Sequence, residues 1–337
     1  MPDQNEQAQP PLEEDPVATA RPILPKTFDK WILTAILLCA AFLRVACLED
    51  APPGFFQDEA ATGYDAYCLA TSGENRHGQF LPVFFNSFGD YEEGLHRYLI
   101  VPFIGLFGLS VWSVRVVSAV LGVGVVFVTY LLARQMYGGL GALAAAAVAA
   151  ITPWQIHLSR VAVRDILLPL VFGFGTYCIL RALHEFSEQR RTSRSDILLT
   201  FGALFWALTW YTYTVARLFL PLMLLGFAII FRNSIIQLWR MRPRIVAAAC
   251  LCFVVVSLPL VIEYVCHPDQ LGARMQVITV GGMETSLVSL STLVSMAKNY
   301  LPHFSPNHLF LKGDPNPFLF MGGGLLLPSI APLILLG

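Results

Sequence analysis

Long runs of apolar residues, separated by short polar connections, dominate the chain from residue 31 onward. A helix that crosses a membrane needs roughly 20 such residues, with about 17 as the lower limit. Runs close to this length lie near residues 31–48, 112–133, 140–158, 165–183, 197–213, 215–231, 245–264 and 318–336. The pattern predicts an all-α fold, a polytopic bundle of membrane helices.

Composition agrees with this prediction, because 55% of the residues are hydrophobic and only 13% are charged. A soluble globular domain carries about 25% charged residues, so this chain has too few to cover a surface that faces water. The net charge of −1 provides no basic surface for nucleic acid. We therefore expect the lipid bilayer, and no nucleic acid, as a partner.

The arginine-rich connections 181–194 and 232–244 predict which side of the membrane each loop faces. Basic loops stay in the cytoplasm, which places both connections inside. The short apolar run 99–111 could be a further crossing or an interfacial or re-entrant helix. The loop charges alternate consistently only if it does not cross. The outer loops are then 49–111, with juxtamembrane helices, and 265–317, which we expect to be partly helical.

The two ends of the chain differ from the membrane region. Residues 1–28 are polar, Pro-rich and acidic, which predicts a disordered cytoplasmic tail in front of a membrane domain at 29–337. The chain ends on Gly337, inside an apolar segment without flanking charge. We therefore expect the natural protein to continue beyond this residue.

The adjacent carboxylates Asp58 and Glu59 follow the first apolar run and lie on the predicted outer face. One interpretation is that Asp58 caps the N-terminus of a helix over residues 60–70, because aspartate is a favoured cap. That interpretation explains two carboxylates less well than one. The other is a general base or metal ligand, since partial desolvation at the membrane surface raises a carboxylate pKa towards a working value.

Charged residues at three further helix ends have a structural and a functional interpretation each. Arg44 could reach the interface from the first apolar run or face the bundle interior, where charge is usually functional. Arg160, Arg164 and Asp165 could fix a tight helical hairpin. They could also bring Asp165 to the cavity of Asp58 and an arginine to an anionic ligand, because guanidinium matches phosphate geometry.

Two other polar groups complete the predicted outer face. Tyr213 and Arg217 are four residues apart and can share a helix face, although aromatic residues there often form only an interfacial belt. The last loop carries Arg274 and Lys312, which could close over a substrate. It also carries His303 and His308, which are a weak candidate for zinc ligation.

The order of these motifs resembles that of a known family. The outer-face Asp58-Glu59 is followed by Gly63-Tyr64-Asp65-Ala66-Tyr67 and then by His77-Gly-Gln-Phe-Leu-Pro82. Arg160 and Asp165 are similar to a second family motif, and residues 303–317 are similar to loop text of bacterial members. The chain from about residue 31 to 337 resembles the protein mannosyltransferase and aminoarabinose transferase family, multi-span glycosyltransferases of the C superfamily (GT-C, glycosyltransferase family 39 type).

This resemblance implies inverting sugar transfer from a polyprenyl-phosphate donor to an acceptor hydroxyl on a protein, lipid or glycan. It places the site on the extracytoplasmic face, with the bacterial cytoplasmic membrane as the expected location. Asp58 would be the base, with Glu59 and Asp165 as further catalytic residues. The residues expected to bind donor phosphate or substrate are Arg44, Arg160, Arg164, Tyr213, Arg217, Arg274 and Lys312. No metal is expected to be essential, although binding of a divalent metal stays open.

One stretch departs from the family pattern. Relatives often carry a Lys-Pro-Pro-Leu-like run before the interfacial helix, where this chain has Tyr91-Glu92-Glu93-Gly94-Leu95. A negative charge therefore replaces a basic group expected near the lipid phosphate. Two rival functions stay open: a transporter or flippase of a lipid-linked saccharide, and an inactive scaffold subunit. The first would require paired, interrupted helices at mid-membrane depth, which the sequence lacks.

Overall fold

The structure, a computed structural model, describes residues 26–187, 193–268, 290–314 and 323–332. Arg274, one of the predicted substrate-binding residues, lies outside these ranges, as does the predicted tail up to residue 25. The longer helices are α1 (Lys26–Val45), α2 (Gln57–Ser72), α4 (Val111–Ile151), α6 (Leu167–Ser187), α7 (Ser193–Leu208) and α10 (Pro243–Cys266). The shorter ones are α3 (Leu95–Phe107), α5 (Pro153–Arg160), α8 (Ala216–Ile230), α9 (Arg232–Met241) and α11 (Leu290–Tyr300).

The apolar runs predicted between residues 31 and 264 lie in the helices, and the all-α membrane bundle is confirmed. The run predicted at 318–336 lies largely outside the described residues. By length and composition, three described helical segments can cross a membrane: Val111–Ile151, Arg164–Phe186 and Pro243–Cys266. The pair α8 and α9 makes a fourth if it counts as one bent span. The runs predicted at 112–133 and 140–158 join in α4, which is interrupted at Gly138. Its φ of 77° lies in the left-handed region that only glycine adopts at low cost.

Helix packing in the bundle follows the apolar faces. α1 packs along α4, with Ala40, Val126, Ala142 and Ala146 buried between them. α6 packs against both α4 and α7, and α7 also contacts α10. Small residues let these helices approach closely. Close packing is needed because lipid provides no hydrophobic driving force between membrane helices.

The segment between α1 and α4 forms a compact unit of α2, a β-hairpin and α3. The hairpin pairs β1 (Phe84–Ser87) with β2 (Asp90–Glu93) in antiparallel register, with Ser87 opposite Asp90. Its two turn residues, Phe88 and Gly89, have φ of 52° and 81°. Two positive φ values define the type I′ geometry that matches the right-handed twist of a hairpin. Each strand has only four residues, so the hairpin leaves the helical class of the fold unchanged.

Helix α3 contains most of the predicted interfacial run 99–111, but it begins at Leu95 and ends at Phe107. It packs against α2 and α4 through Ile100 and Ile104, which are buried beside Val114. Its 13 residues span about 20 Å, which is too short to cross a hydrocarbon core of roughly 30 Å. Leu106 and Phe107 at its end are exposed apolar side chains, as expected for a helix that dips into lipid.

Candidate active site

The first turn of α2 contains both predicted carboxylates. Helix α2 begins at Gln57, earlier than predicted, so Asp58 lies inside the first turn and is not the cap. Glu59 Oε2 instead accepts a hydrogen bond from the backbone N–H of Phe56 at 3.1 Å. Negative charge in this turn is favourable because it faces the positive end of the helix dipole.

Glu59 is fully buried and forms an ion pair with Arg115, which lies near the start of α4. Arg115 Nε donates to Glu59 Oε1 at 2.8 Å, and Arg115 Nη2 donates to Oε2 at 2.9 Å. Oε1 also accepts a hydrogen bond from the backbone N–H of Ala162 at 2.9 Å. Both carboxylate oxygens are therefore occupied, and Glu59 ties together α2, α4 and the segment that leads to Asp165.

Arg115 also fixes the chain that enters α2. Its Nη1 donates to the carbonyl oxygens of Leu48 and Pro52, at 3.1 Å and 3.0 Å. Its Nη2 donates to the carbonyl oxygen of Gly54 at 2.6 Å. The guanidinium thus satisfies backbone acceptors of an irregular turn that would otherwise be buried without partners. We call Glu59 and Arg115 the buried clamp.

Asp58 differs from its neighbour because it is half-buried and takes no part in the buried clamp. Successive residues of a helix point about 100° apart, so Asp58 and Glu59 occupy different faces of α2. Ala162, bonded to Glu59, is three residues from Asp165, which is also half-buried. The structure therefore brings the chain segments of the two other predicted catalytic residues to the same place.

A second cluster of charges surrounds the hairpin strand β2. Arg164 pairs with Glu92 and lies 3.4 Å from Glu93, and Arg97 Nη2 donates to Glu92 Oε2 at 2.6 Å. Arg217 Nη2 donates to Glu93 Oε1 at 2.8 Å. Glu92 and Glu93, the departure from the family pattern, are thus held by three arginines from α3, α8 and the turn before α6.

This cluster extends to α2. Arg97 Nε donates to Asp65 Oδ2 at 3.1 Å, and Arg76 Nε lies 3.7 Å from Asp65 Oδ1. The ion pairs of this cluster join four carboxylates to four guanidinium groups, and the charge of Asp165 also acts on Arg164. The members of this outer ion-pair network are Asp65, Asp90, Glu92, Glu93, Arg76, Arg97, Arg164 and Arg217.

Burial and charge act in opposite directions on Glu92. Burial alone would raise the pKa of its carboxyl group, but the nearby Arg164 and Arg97 outweigh it and hold the pKa below its usual value. Glu92 therefore stays ionised near neutral pH and holds both arginines in place.

Two of the predicted phosphate-binding arginines bind backbone carbonyl groups instead. Arg44 is fully buried and donates to the carbonyl oxygens of Ala40, Ala149 and Ala150 and to Ser159 Oγ. It faces the bundle interior, so the alternative in which it reaches the interface is wrong. Its donors cap the last turn of α4, whose carbonyls lack helical partners.

Arg160 has a similar position at the end of α1. It donates to the carbonyl oxygens of Leu43, Ala46, Cys47 and Ala51. In this conformation both Arg44 and Arg160 hold the fold together, and neither joins the outer ion-pair network.

Of the remaining predicted residues, three lie near β2 and Lys312 lies apart from them. The Arg164 guanidinium lies 5.5 Å from the ring centre of Tyr213, and Arg217 lies 4.9 Å from that of Tyr264. Arg164, Tyr213 and Arg217 thus meet around Glu93. Tyr213 lies before the first residue of α8, so the prediction that it shares a helix face with Arg217 is wrong. Lys312 is exposed, and no contact among the described residues joins it to this network.

The His303 and His308 rings lie 5.1 Å apart between centres. Within the described part of the chain, no group of three or more His, Cys, Asp or Glu side chains is arranged to hold a metal ion. The suggestion of a zinc site thus gains no support from further ligands.

No role was predicted from the sequence for Arg97, Asp65 or Arg115. A signal existed, since Arg97 and Arg115 are isolated charges within or next to apolar helices, where ionisable residues are usually paired. Their partners lie 32 and 56 positions away along the chain, at separations that no local pattern reveals.

Buried His96 in α3 predicts that the stability of the folded protein falls in acid. Its Nε2 contacts Ser118 Oγ at 2.9 Å, and burial, followed by the charges of Arg97 and Arg164, lowers its pKa to about 3, although Glu92 opposes this shift. Below pH 6.5 the unfolded chain binds a proton that the folded protein does not, so stability falls as pH falls. The expected loss between pH 7.5 and pH 5 is about 2 kcal/mol.

Thermal unfolding of the purified protein at both pH values measures this loss. The His96→Gln variant should lose less stability over the same interval, and His77→Gln, which changes an exposed histidine, should behave as wild type. Equal pH dependence in wild type and His96→Gln would contradict the assignment.

Comparison with known proteins supports the family resemblance. Residues 95–262 match the family described as dolichyl-phosphate-mannose-protein mannosyltransferase. The curated protein named "Putative mannosyltransferase YycA" from Bacillus subtilis (strain 168) is 31% identical over 162 residues, which cover 48% of this chain and 22% of that protein. The chain thus spans about a fifth of this relative, and the resemblance stated from the sequence is confirmed.

Two solved structures share the fold. ArnT from Cupriavidus metallidurans, bound to undecaprenyl phosphate, matches with a TM-score of 0.50 and 16% identity over 83% of this chain and 50% of that chain. The archaeal oligosaccharyltransferase AglB from Archaeoglobus fulgidus, in complex with an inhibitory peptide and a dolichol-phosphate, gives 0.51 and 14% over 83% and 37%. The predicted fold, a bundle of membrane helices like that of these two proteins, is therefore confirmed, and the protein is an integral membrane protein.

Proposed function

We propose that this protein transfers a sugar from a polyprenyl-phosphate donor to an acceptor hydroxyl at the extracytoplasmic face of a bacterial cytoplasmic membrane. The observation that carries the proposal is the position of Asp58. This half-buried carboxylate lies beside a neighbour locked by the buried clamp, which also anchors the segment before Asp165. A base needs such a rigid support, because proton transfer depends on geometry first and pKa second.

The proposed reaction inverts the sugar configuration. Asp58 takes the proton from the acceptor hydroxyl as its oxygen attacks the anomeric carbon. The bond from that carbon to the phosphate oxygen breaks on the opposite side, and the lipid phosphate leaves with the bonding electrons. Asp165, on the adjacent segment, is proposed to orient the acceptor or the donor sugar, and Glu59 acts as a positioning residue through the buried clamp.

Arg164 and Arg217, with Tyr213 beside them, are the proposed partners of the donor phosphate. A guanidinium fork stabilises the charge that develops on a leaving phosphate. Both arginines contact Glu93, and Glu92 also pairs with Arg164. The donor phosphate must therefore share the two arginines with these carboxylates or displace the carboxylates from them. The predicted Arg274 and Lys312 would add positive charge from the last loop. The match to the dolichyl-phosphate-mannose-protein mannosyltransferase family and the similarity to ArnT bound to undecaprenyl phosphate support this donor class, whereas the sugar and acceptor stay open.

The contacts of Glu92 with Arg164 and Arg97 lead to a prediction. Replacing it with glutamine removes one negative charge from around Arg164 and Arg97. The affinity for undecaprenyl phosphate should then rise about fivefold, the size of an ion-pair contribution near 1 kcal/mol. Equilibrium binding of the lipid phosphate to purified protein measures this change. Glu74→Gln removes an exposed carboxylate from the same outer unit and should leave the affinity unchanged. Weaker binding by Glu92→Gln would contradict the proposed phosphate position.

The proposed function is tested by supplying radiolabelled polyprenyl-phosphate sugars to membranes that contain the protein. Label that moves from lipid to an acceptor with wild type, and stays on the lipid with Asp58→Asn, supports both the enzyme class and the base. Label that changes sides of the membrane without a covalent product indicates a transporter. Neither event, in folded protein, indicates a scaffold. The same assay in a chelator tests the expectation that no metal is essential.

A further inference from the structure

A basic cavity lies at the far end of the bundle from the candidate active site. Its volume is about 660 Å³, and α4, α6, α7 and the junction of α8 with α9 surround it. Arg134 on α4 is 19 residues after Arg115, which corresponds to about 28 Å along a helix. The cavity is therefore separate from the buried clamp and from the outer ion-pair network.

Three arginines make this cavity positive. Arg134, Arg181 and Arg194 line it, and buried Glu185 lies 3.2 Å from Arg181 and 3.9 Å from Arg194. Arg134 is exposed and donates to the hydroxyl of Tyr130. One carboxylate among these contacts offsets only part of three positive charges, which favours an anionic ligand with several oxygen acceptors.

The bend between α8 and α9 shows at which depth of the membrane the cavity opens. The two helices meet at 80°, and Phe231 at the bend forms part of the cavity wall. If α8 crosses the membrane, then α9 lies nearly parallel to its surface. The exposed Trp239 and Ile236 of α9 suit an interfacial helix. The cavity therefore lies at the level of lipid headgroups.

Gln135 provides a neutral polar contact in the same cavity. Its Oε1 atom is buried and accepts no hydrogen bond in the described part of the protein. A buried acceptor without a donor costs free energy, so a ligand that donates a hydrogen bond there would bind favourably. A hydroxyl group next to a phosphate would satisfy Gln135 while the phosphate meets the arginines.

We propose that this cavity binds the headgroup of an anionic phospholipid that carries a hydroxyl, such as phosphatidylglycerol. The phosphodiester contacts Arg134 and Arg194, the headgroup hydroxyl donates to Gln135, and the acyl chains extend along the apolar surface of the bundle. Basic pockets between membrane helices on the cytoplasmic side suit such headgroups. The proposal rests on the membrane orientation proposed above, and it does not depend on sugar transfer.

The test measures binding of acyl-labelled phosphatidylglycerol to the purified protein in detergent. Unlabelled phosphatidylglycerol, phosphatidylcholine and inorganic phosphate serve as competitors. We expect phosphatidylglycerol to displace the label and the other two to fail at the same concentration. Arg134→Gln and Arg194→Gln should each weaken binding about fivefold, since one basic group near a lipid phosphate contributes about that much. Both side chains are exposed, so the variants should fold.

Arg240→Gln is the matched control, because it removes an exposed arginine of α9 that does not line the cavity. Gln135→Leu should weaken phosphatidylglycerol binding and leave phosphatidic acid, which has no headgroup hydroxyl, unaffected. Displacement by inorganic phosphate would assign the cavity to a soluble anion and overturn the lipid assignment. Equal displacement by phosphatidylcholine, or equal weakening by Arg240→Gln, would overturn the proposal entirely. None of these results depends on transferase activity, so they are distinct from a failure of the proposed function.

Discussion

The Asp58→Asn variant is expected to transfer sugar at least about a hundredfold more slowly than wild type, because general base catalysis contributes factors of roughly 10² to 10⁴. Asparagine has nearly the same shape as aspartate but does not take up the proton of the attacking hydroxyl. The buried clamp does not include Asp58, so Asp58→Asn leaves the ion pair of Glu59 and Arg115 in place and the variant should fold. The measurement is the initial rate of label transfer at saturating donor, beside the thermal unfolding midpoint.

Asp50→Asn is the matched control for this variant, because Asp50 is an exposed carboxylate of the same outer segment. It should transfer sugar at the wild-type rate. Saturating donor separates a loss of turnover, expected for a base, from weaker donor binding. A fall of only a fewfold in Asp58→Asn would move the role of base to Asp165, for which Asp165→Asn is the corresponding variant.

Breaking the buried clamp is expected to have the largest effect on folding. Glu59→Ala or Arg115→Ala leaves a buried charge without its partner, which typically costs about 3–5 kcal/mol. Arg115→Ala should be the more severe change, since it also removes the hydrogen bonds to the carbonyls of Leu48, Pro52 and Gly54. Unfolding midpoints and the yield of monodisperse protein in detergent measure both effects.

The double variant distinguishes the ion pair from the other contacts of Arg115. Residues that interact directly are not additive, so the double variant should lose clearly less stability than the sum of the two single variants. Arg240→Ala, which removes an exposed arginine, should leave the midpoint unchanged. Additive losses would show that Glu59 and Arg115 stabilise the protein independently, against the geometry of the clamp.

Local pattern was enough to predict the helices and the importance of the first outer segment. The apolar runs predicted the long helices because burial in lipid requires continuous apolar stretches of nearly fixed length. The same reasoning identified Arg164, Tyr213 and Arg217, which the structure brings together around Glu93. It did not predict the hairpin at residues 84–93, because two four-residue strands give too short an alternation to stand out.

Glu92 and Glu93 have a role that their position in the sequence does not reveal. In the sequence they put negative charge where a basic group is expected near the lipid phosphate. In the structure they pair with Arg97, Arg164 and Arg217, which gives them a structural role. The role of these two carboxylates on β2 thus depends on arginines that three other elements bring into contact with them.

Sequence alone thus determined the membrane helices, the resemblance to a glycosyltransferase family and the selection of Asp58 and Glu59. These features depend on composition, on hydropathy along the chain and on the order of short motifs. The tertiary structure decided what each charged group does: it locks Glu59 onto Arg115, turns Arg44 and Arg160 towards backbone carbonyls and leaves Asp58 half-buried. The physical reason is that a guanidinium binds carboxylate, phosphate and carbonyl oxygens alike, so its partner is whichever acceptor the packing of distant helices brings within reach.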